Sequence, residues 1–310
     1  MQHAIVNLNG RIVDIREAKV SVFDHGFLFG YGVYETLRTY LRVPFLFDRH
    51  LRRLRESAAA LSLPVPVSDD ELREWVAQTI EALPHGGEAY IRLLLTRGPG
   101  EFSYDPSACP SPTVVVIVRP FAEPPPRVFE RGVRIALVSV MRNHPASVDP
   151  RIKSNNLLNN ALAMQEAIRR GAEEALMRNY RGELAECAQS NLFVVRDGQV
   201  LTPPAEAGLL RGITRDFVFE VGRAAGFSVA EATLRDADLF AADEAFITGT
   251  TREITPVVQV DDRPIGDGRP GPTTLRLLSE FRRLALEWTA RELGRGRGPA
   301  AAQPAGAGGA

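Results

Sequence analysis

From Ala4 to Val13 apolar and polar residues alternate around Asn9-Gly10, a dipeptide that accepts the two positive φ angles of a tight turn, so the chain is predicted to open with a β-hairpin. Residues 20–40 then read as a short strand, a glycine-rich bend and a second strand of β-branched and aromatic residues. The period changes after Asp48. Leu51, Leu54, Ala58 and Leu61 recur at spacings of three and four, an apolar stripe on a helix that Asp48 would cap, with Arg52, Arg53 and Arg55 off the stripe. Ser68 and Glu71 form a capping box ahead of a second amphipathic helix bearing Leu72, Trp75, Val76 and Ile80. Two strand-like runs, 89–96 and 113–119, flank a loop from Arg97 to Pro106.

Pro124-Pro125-Pro126 reads as a stiff extended connection, so the expected organisation is an α/β domain over residues 1–120, a linker over 121–132 and a second domain over 133–290. The second domain is predicted to begin with a strand over 133–140. Lys153 then stands at the entry to a helix ending near Gly171, with Leu157, Leu158, Ala161, Leu162 and Ile168 as its packing face. A meander with turns at 180–182 and 197–198 contains Glu186 and Asn191. Gly212-Ile213-Thr214 opens another helix, and Glu244 to Thr251 is a strand ending in small hydroxylated residues. A hairpin around Asp261-Asp262 and a helix over 272–293 follow. Residues 291–310 have a Gly, Ala, Pro and Arg composition that cannot bury a core, so a disordered tail is expected there. No internal repeat is visible.

Composition narrows the function. With 45% hydrophobic and 24% charged residues the chain is an ordinary globular protein, long enough at 310 residues for two domains. A net charge of -1 and the lack of arginine clusters interleaved with aromatics give no footprint for nucleic acid. No apolar run long enough to span a membrane occurs and the N-terminus has no export pattern, so a cytoplasmic protein is expected. Cys109 and Cys187 are too few for a disulfide framework, and the five histidines show no metal-ligand spacing with them. No metal is expected.

One residue stands apart. Of the 37 basic residues only Lys19 and Lys153 are lysines. Arginine stays protonated, whereas a buried lysine can lose its proton and act as a nucleophile or form a Schiff base, so Lys153 is either a chemical choice or a surface residue before a helix. Its neighbours decide. The helix start at Ile213 and Thr214 presents free backbone N–H groups and a positive dipole end, and Gly249-Thr250-Thr251 adds a second small, hydroxylated turn, together suited to a phosphate. The Arg52-Arg53-Arg55 cluster offers an arginine fork for it, or is a solvated face. Glu186 lies in a mostly apolar stretch, Leu184 to Ala188; buried, it needs a cationic partner such as a protonated pyridine nitrogen, and exposed it is an ordinary edge-strand glutamate. A lysine, two phosphate-suited loops and a carboxylate together meet the needs of pyridoxal phosphate.

The motifs FDHGFLFGYGVYETLR (23–38), HLRRL (50–54), RIKSNNLLNNALA (151–163), ELAECAQSNLF (183–193), GLLRGITRD (208–216) and DEAFITGTTREITPV (243–257) occur in the right order for a known family. Through them, residues 4–285 resemble the class IV (fold type IV) pyridoxal-phosphate aminotransferases, which include branched-chain amino acid aminotransferases, D-amino acid aminotransferases and 4-amino-4-deoxychorismate lyases. The resemblance implies homodimers of two α/β domains per chain with pyridoxal 5'-phosphate between the domains. Lys153 would be the Schiff-base lysine and proton shuttle, and Glu186 the partner of the pyridine nitrogen. Arg53, the amides of Ile213 and Thr214, and Thr250 would bind phosphate, while Asn191 supports the ring-binding strand. Lys19 matches a position without a catalytic role.

For the substrate, the same resemblance implies that the α-carboxylate meets the Thr250-Thr251 turn and one or more of Tyr34, Arg38, Tyr90 and Arg92. AYIR (89–92) resembles the branched-chain enzymes, Leu157-Leu158 the D-amino acid enzymes and lyases, and ECAQSNLF the lyases, whereas TGTTREITPV is unlike the lyases. The expected reaction is transamination between a branched-chain L-amino acid and a 2-keto acid such as 2-oxoglutarate. Its rivals are a D-amino acid aminotransferase, an aminodeoxychorismate lyase and a phosphate-compound-binding protein without catalysis.

Overall fold

In a computed structural model, residues 3–84 and 86–296 are described. The first part of the chain comprises β1 (Ile5–Leu8), β2 (Arg11–Val13), α1 (His25–Phe29), β3 (Gly32–Tyr40), β4 (Val43–Pro44), α2 (Phe47–Ala60), α3 (Asp69–Glu81), β5 (Ala89–Thr96) and β6 (Thr113–Pro120). Its strands form a six-stranded sheet in the order β2-β1-β6-β5-β3-β4. After α4 (Arg127–Arg131) come β7 (Val133–Leu137), α5 (Leu158–Arg169), β8 (Glu174–Arg178), β9 (Leu184–Cys187), β10 (Asn191–Arg196), β11 (Gln199–Thr202), α6 (Ile213–Ala225) and β12 (Val229–Glu231). The described elements end with α7 (Asp236–Phe240), β13 (Glu244–Gly249), β14 (Glu253–Val260), β15 (Arg263–Pro264) and α8 (Pro272–Gly294). These strands build a nine-stranded mixed sheet in the order β12-β11-β10-β13-β14-β7-β8-β9, with β15 paired to β14.

Strand period does the sorting in the first sheet. In β5, Ala89, Ile91, Leu93 and Leu95 point inward to the side chains of α2 and α3, which leaves Tyr90, Arg92 and Leu94 on the opposite face. The second sheet is different: β8 and β9 are almost entirely buried, because helices and neighbouring segments cover both faces. A third cluster joins the two halves. Phe45, just after β4, sets its ring edge-on against Phe217 of α6 at 5.3 Å and Trp288 of α8 at 5.3 Å, so the first sheet is anchored in the core of the second.

The opening hairpin forms as its pattern predicts, with Asn9 and Gly10 at φ 50° and 85°. Elsewhere the structure corrects the periodicity. Val20 to Phe23 form no strand; Asp24 instead caps the one-turn helix α1 through its side chain. Asp48 lies inside α2, whose cap is Leu46, and pairs with Arg73 of α3. The strand predicted over 133–140 ends at Leu137, and the expected linker contains α4. Lys153 sits on an extended segment ahead of α5 rather than at its first turn. The face of α5 that packs is the small one, Ala163 and Ala167, whereas Leu158, Leu162 and Ile168 are exposed. Small residues let the helix approach β7 and β8 closely, and 3.6-residue periodicity alone does not say which of two apolar stripes faces the sheet. Of the expected tail, residues 291–294 complete α8, and 297–310 lie outside the described residues.

Ile91 is fully buried at the centre of the first core. Ile91→Ala is expected to lower the unfolding free energy by about 2–5 kcal/mol, measured by urea denaturation.

Candidate functional site

A cavity of about 860 Å³ lies between the two sheets, and Tyr34, Arg53, Tyr90, Arg92, Lys153, Glu186, Asn191, Ile213, Thr214, Thr250 and Thr251 all line it. The residues singled out in the sequence thus meet in one place, with one exception described below.

Lys153 is held by backbone pairing. Its carbonyl accepts from the Tyr34 N–H at 3.0 Å, Asn155 N–H donates to the Gly32 carbonyl at 2.8 Å, and Ser154 bridges to Val33. The segment therefore runs as a short extra strand along β3. Glycine is required at position 32, because a Cβ there would stand 2.6 Å from both the Asn155 amide and the Leu95 carbonyl. The Lys153 backbone N–H also donates to Ser57 Oγ of α2 at 3.2 Å. Its Nζ lies 4.5 Å from the centre of the Tyr34 ring, over which the Arg92 guanidinium is placed at 4.0 Å. No ion pair joins Lys153 among the described residues, and both Lys153 and the Tyr34 ring beneath its amine line the cavity.

Glu186, on β9, is buried and paired. Arg142 Nε donates to Oε1 at 2.7 Å, and Asn191 Nδ2 makes a long contact of 3.4 Å with Oε2. Burial pushes the carboxyl up from its ordinary range, and Arg142 opposes that shift without cancelling it. Arg142 in turn donates to Asn159 Oδ1 at 2.9 Å. Asn191 donates to the Leu210 carbonyl at 2.9 Å and presses against Gly212, where a Cβ would sit 2.1 Å from its Oδ1. Asn191 thus ties Glu186 to the start of α6.

That start carries the anion-binding features. Ile213 and Thr214 occupy the first turn, whose N–H groups have no intrahelical acceptor. Arg53 is buried rather than solvated, and its Nη1 donates to the Arg211 carbonyl at 2.8 Å, beside that turn. The Arg53 fork itself grips Glu35 at 2.7 and 2.8 Å, and His50 Nδ1 meets the same carboxylate at 2.7 Å. Arg55 pairs with Asp69 and Arg52 is exposed, so the arginine cluster contributes one member to the site. Across the cavity, residues 250–252 turn between β13 and β14, and the buried Thr248 hydroxyl beside them has no protein partner. An orphaned hydroxyl, unpaired helix N–H groups and an unpaired amine around one space suit a phosphorylated aldehyde cofactor. Among the described residues there is no His, Cys, Asp and Glu cluster fit for a metal.

Arg38 is the exception. The motif resemblance places it at the substrate, but it does not line the cavity: it is 3% exposed and pairs with Glu123 at 2.6 Å and Glu253 at 3.2 Å. It shares a β3 face with Tyr34 and Thr36, farther along the strand, where two carboxylates take its guanidinium. Conversely, Arg142, Glu35, His50, Thr36, Arg119 and Arg252 lie in or directly behind the wall, and sequence reasoning does not single them out. A signal exists for Arg142, since a buried Glu186 demands a cation.

Residues 32–260 match the family model "Amino-transferase class IV". A putative branched-chain-amino-acid aminotransferase of Methanocaldococcus jannaschii is 40% identical over 91% of this chain and 97% of its own length. The crystal structure of the Escherichia coli branched-chain amino acid aminotransferase superposes with a TM-score of 0.87 at 34% identity, covering 90% of this chain and 94% of that one. The branched-chain amino acid aminotransferase of Thermobaculum terrenum in its PLP-form gives a TM-score of 0.83 at 29% identity, covering 93% of this chain and 95% of that one.

The Glu35 cluster is expected to make the stability of the fold depend on pH on the acid side. Burial alone would raise the Glu35 carboxyl, but the Arg53 guanidinium and the His50 ring hold it well below the usual carboxylate range. Burial keeps His50 below its own ordinary value, and the Arg53 guanidinium is the permanent counter-ion of Glu35. A depressed carboxylate stabilises the fold above its unfolded value, about 4.3, and that contribution fades as pH falls toward the folded value. Glu35→Gln is expected to cost about 3–5 kcal/mol at neutral pH, because it strands Arg53, and to flatten the acid limb of a melting-temperature-versus-pH profile.

Proposed function

Because the chain belongs to the class IV aminotransferases, enzymes of pyridoxal phosphate, we propose that it exchanges the amino group of a branched-chain L-amino acid with a 2-keto acid such as 2-oxoglutarate. The observation that carries the site assignment is the convergence of Lys153, Glu186 and the start of α6 on one cavity. The two sheets flanking it support a division into a domain over 1–120, a linker over 121–132 and a cofactor domain over 133–290.

When bound, pyridoxal phosphate supplies an aldehyde carbon and an electron-withdrawing ring. Lys153 Nζ is the amine that would hold the aldehyde and, when free, the base that would take and give back the proton of the amino acid's α-carbon. Glu186 is the carboxylate that would pair with the ring nitrogen and keep it protonated, and Arg142 fixes that carboxylate through Oε1. Arg53, the amides of Ile213 and Thr214 and the Thr250 hydroxyl would hold the phosphate, and Asn191 keeps Glu186 in register with them. The Thr250-Thr251 turn meets the α-carboxylate, and Arg92, over the Tyr34 ring with Tyr90 on the same strand, takes the second carboxylate of the acceptor. Phe121 and Val128 give an apolar wall for a branched side chain.

A homodimer is part of this reading. Phe27, Phe102, Tyr104 and Leu158 are 70%, 72%, 85% and 66% exposed, and Phe102 and Tyr104 pack against Phe23 and Phe29, an aromatic surface suited to a second subunit. No helix among the described residues is long and apolar enough to cross a membrane, and both cysteines are free and buried. We place the enzyme in the cytoplasm.

Purified protein is expected to transaminate L-leucine with 2-oxoglutarate, and to sediment at twice the chain mass of 34.0 kDa. A preference for D-alanine, or pyruvate release from aminodeoxychorismate, would replace the substrate assignment. Borohydride should trap the cofactor on Lys153, and Lys153→Ala should abolish the adduct and cut turnover at least about a hundredfold. A colourless protein with no adduct would mean a binding protein without catalysis.

A further inference from the structure

The turn that faces the cavity ends on a residue with an unusual backbone. Gly249 and Glu253 pair across the hairpin of β13 and β14, and the Arg252 N–H donates to the Gly249 carbonyl at 3.0 Å, which leaves a three-residue loop of Thr250, Thr251 and Arg252. The residue that follows this loop has a positive φ, a region where glycine is the ordinary choice. Here that residue is Glu253, with φ 54°. A side chain holds this conformation at a cost, and it persists where its surroundings over-determine it.

The surroundings do so. The Glu253 carboxylate is 4% exposed; its Oε1 accepts from the Tyr40 hydroxyl at 2.7 Å and Arg38 Nη1 at 3.2 Å, and its Oε2 accepts from Arg282 Nε at 2.7 Å. Arg38 is itself anchored by Glu123 and stacked at 4.0 Å on the Phe121 ring. Two elements, β3 and α8, therefore converge on one carboxylate, the segment after β6 holds Arg38 from behind, and the backbone so fixed carries the Thr250 and Thr251 groups that face the cavity.

We propose that Glu253 is a positioning residue for the Thr250-Thr251 turn, held left-handed by its buried ion pairs, and that Arg38 acts on the reaction through Glu253 rather than by touching substrate. The inference rests on the aminotransferase reading, in which that turn receives the carboxylate and the phosphate. It separates two variants that lose the same side-chain bonds. Glu253→Ala keeps the backbone penalty without its support, so the turn relaxes away; Glu253→Gly tolerates the left-handed backbone freely, so the turn stays.

The test uses the holoenzyme with whichever amino donor the wild type turns over. Glu253→Ala is expected to raise KM for donor and keto acid at least about tenfold, with a smaller change in kcat, and to lose cofactor colour faster on dialysis. Glu253→Gly is expected to stay within about threefold of wild type in KM and in colour loss, although both variants melt lower. Equal KM values for Ala and Gly, or an unchanged KM in a destabilised Ala variant, would overturn the proposal. If Glu253→Ala does not fold, Arg38→Gln takes its place: it is expected to raise KM in the wild-type background and to add nothing in Glu253→Gly, whereas a direct substrate contact would impair both. A wild type inactive on every branched-chain amino acid refutes the substrate reading instead, and leaves the dialysis comparison intact.

Discussion

Two backbone hydrogen bonds, Tyr34 N–H to the Lys153 carbonyl and Asn155 N–H to the Gly32 carbonyl, decide where the one cavity-facing lysine stands. They tie a segment of the second half of the chain to a strand of the first, so the amine sits at the junction of the two sheets. The pairing requires that the edge of β3 be left open at Gly32 to Tyr34, and the short β4 pairs only farther along, at Thr39 and Tyr40. Chemistry at position 153 therefore depends on sheet geometry before it depends on any neighbouring charge.

Around that point the protein buries charge in matched groups. Glu35 with Arg53 and His50, Glu186 with Arg142, and Glu253 with Arg38 and Arg282 each place a carboxylate out of water beside a guanidinium. Buried pairs of this kind contribute little net stability but are costly to break on one side. Their value here is geometric. Each joins separate elements and holds the helix start, ring-facing strand or turn that borders the cavity. Glu174 works likewise between Ser190 Oγ at 3.0 Å and Arg252 at 3.6 Å, with its carboxyl pushed up by burial.

Local features are legible in the sequence because their causes are local. Asn9-Gly10, the Ser68 capping box, the left-handed Gly171 and the helix opening at Gly212 each follow from residues within a turn of one another. Motif resemblance then brings Lys153, Glu186, Arg53 and Thr250 together, which no periodicity argument does. What is not legible depends on partners far along the chain. Arg38 reads as an available cation in its strand, and only the fold brings Glu253, 215 residues away, to neutralise it. Arg53 lies off the apolar stripe of its helix and so reads as solvated, while Glu35 of β3 draws it inward. The outward leucines of α5 read as core for a related reason: the pattern records two apolar faces and the sheet selects the smaller.

The scarcity of lysine has a practical side. Lys19 is 72% exposed, with only Glu17 beside it at 3.6 Å, and it is the one lysine of the chain outside the cavity. Amine-directed coupling to a resin or a dye, carried out with the cavity filled, would find a single lysine handle besides the chain's own α-amine. Immobilised molecules would then attach through one of these two amines, with no residue needing to be engineered.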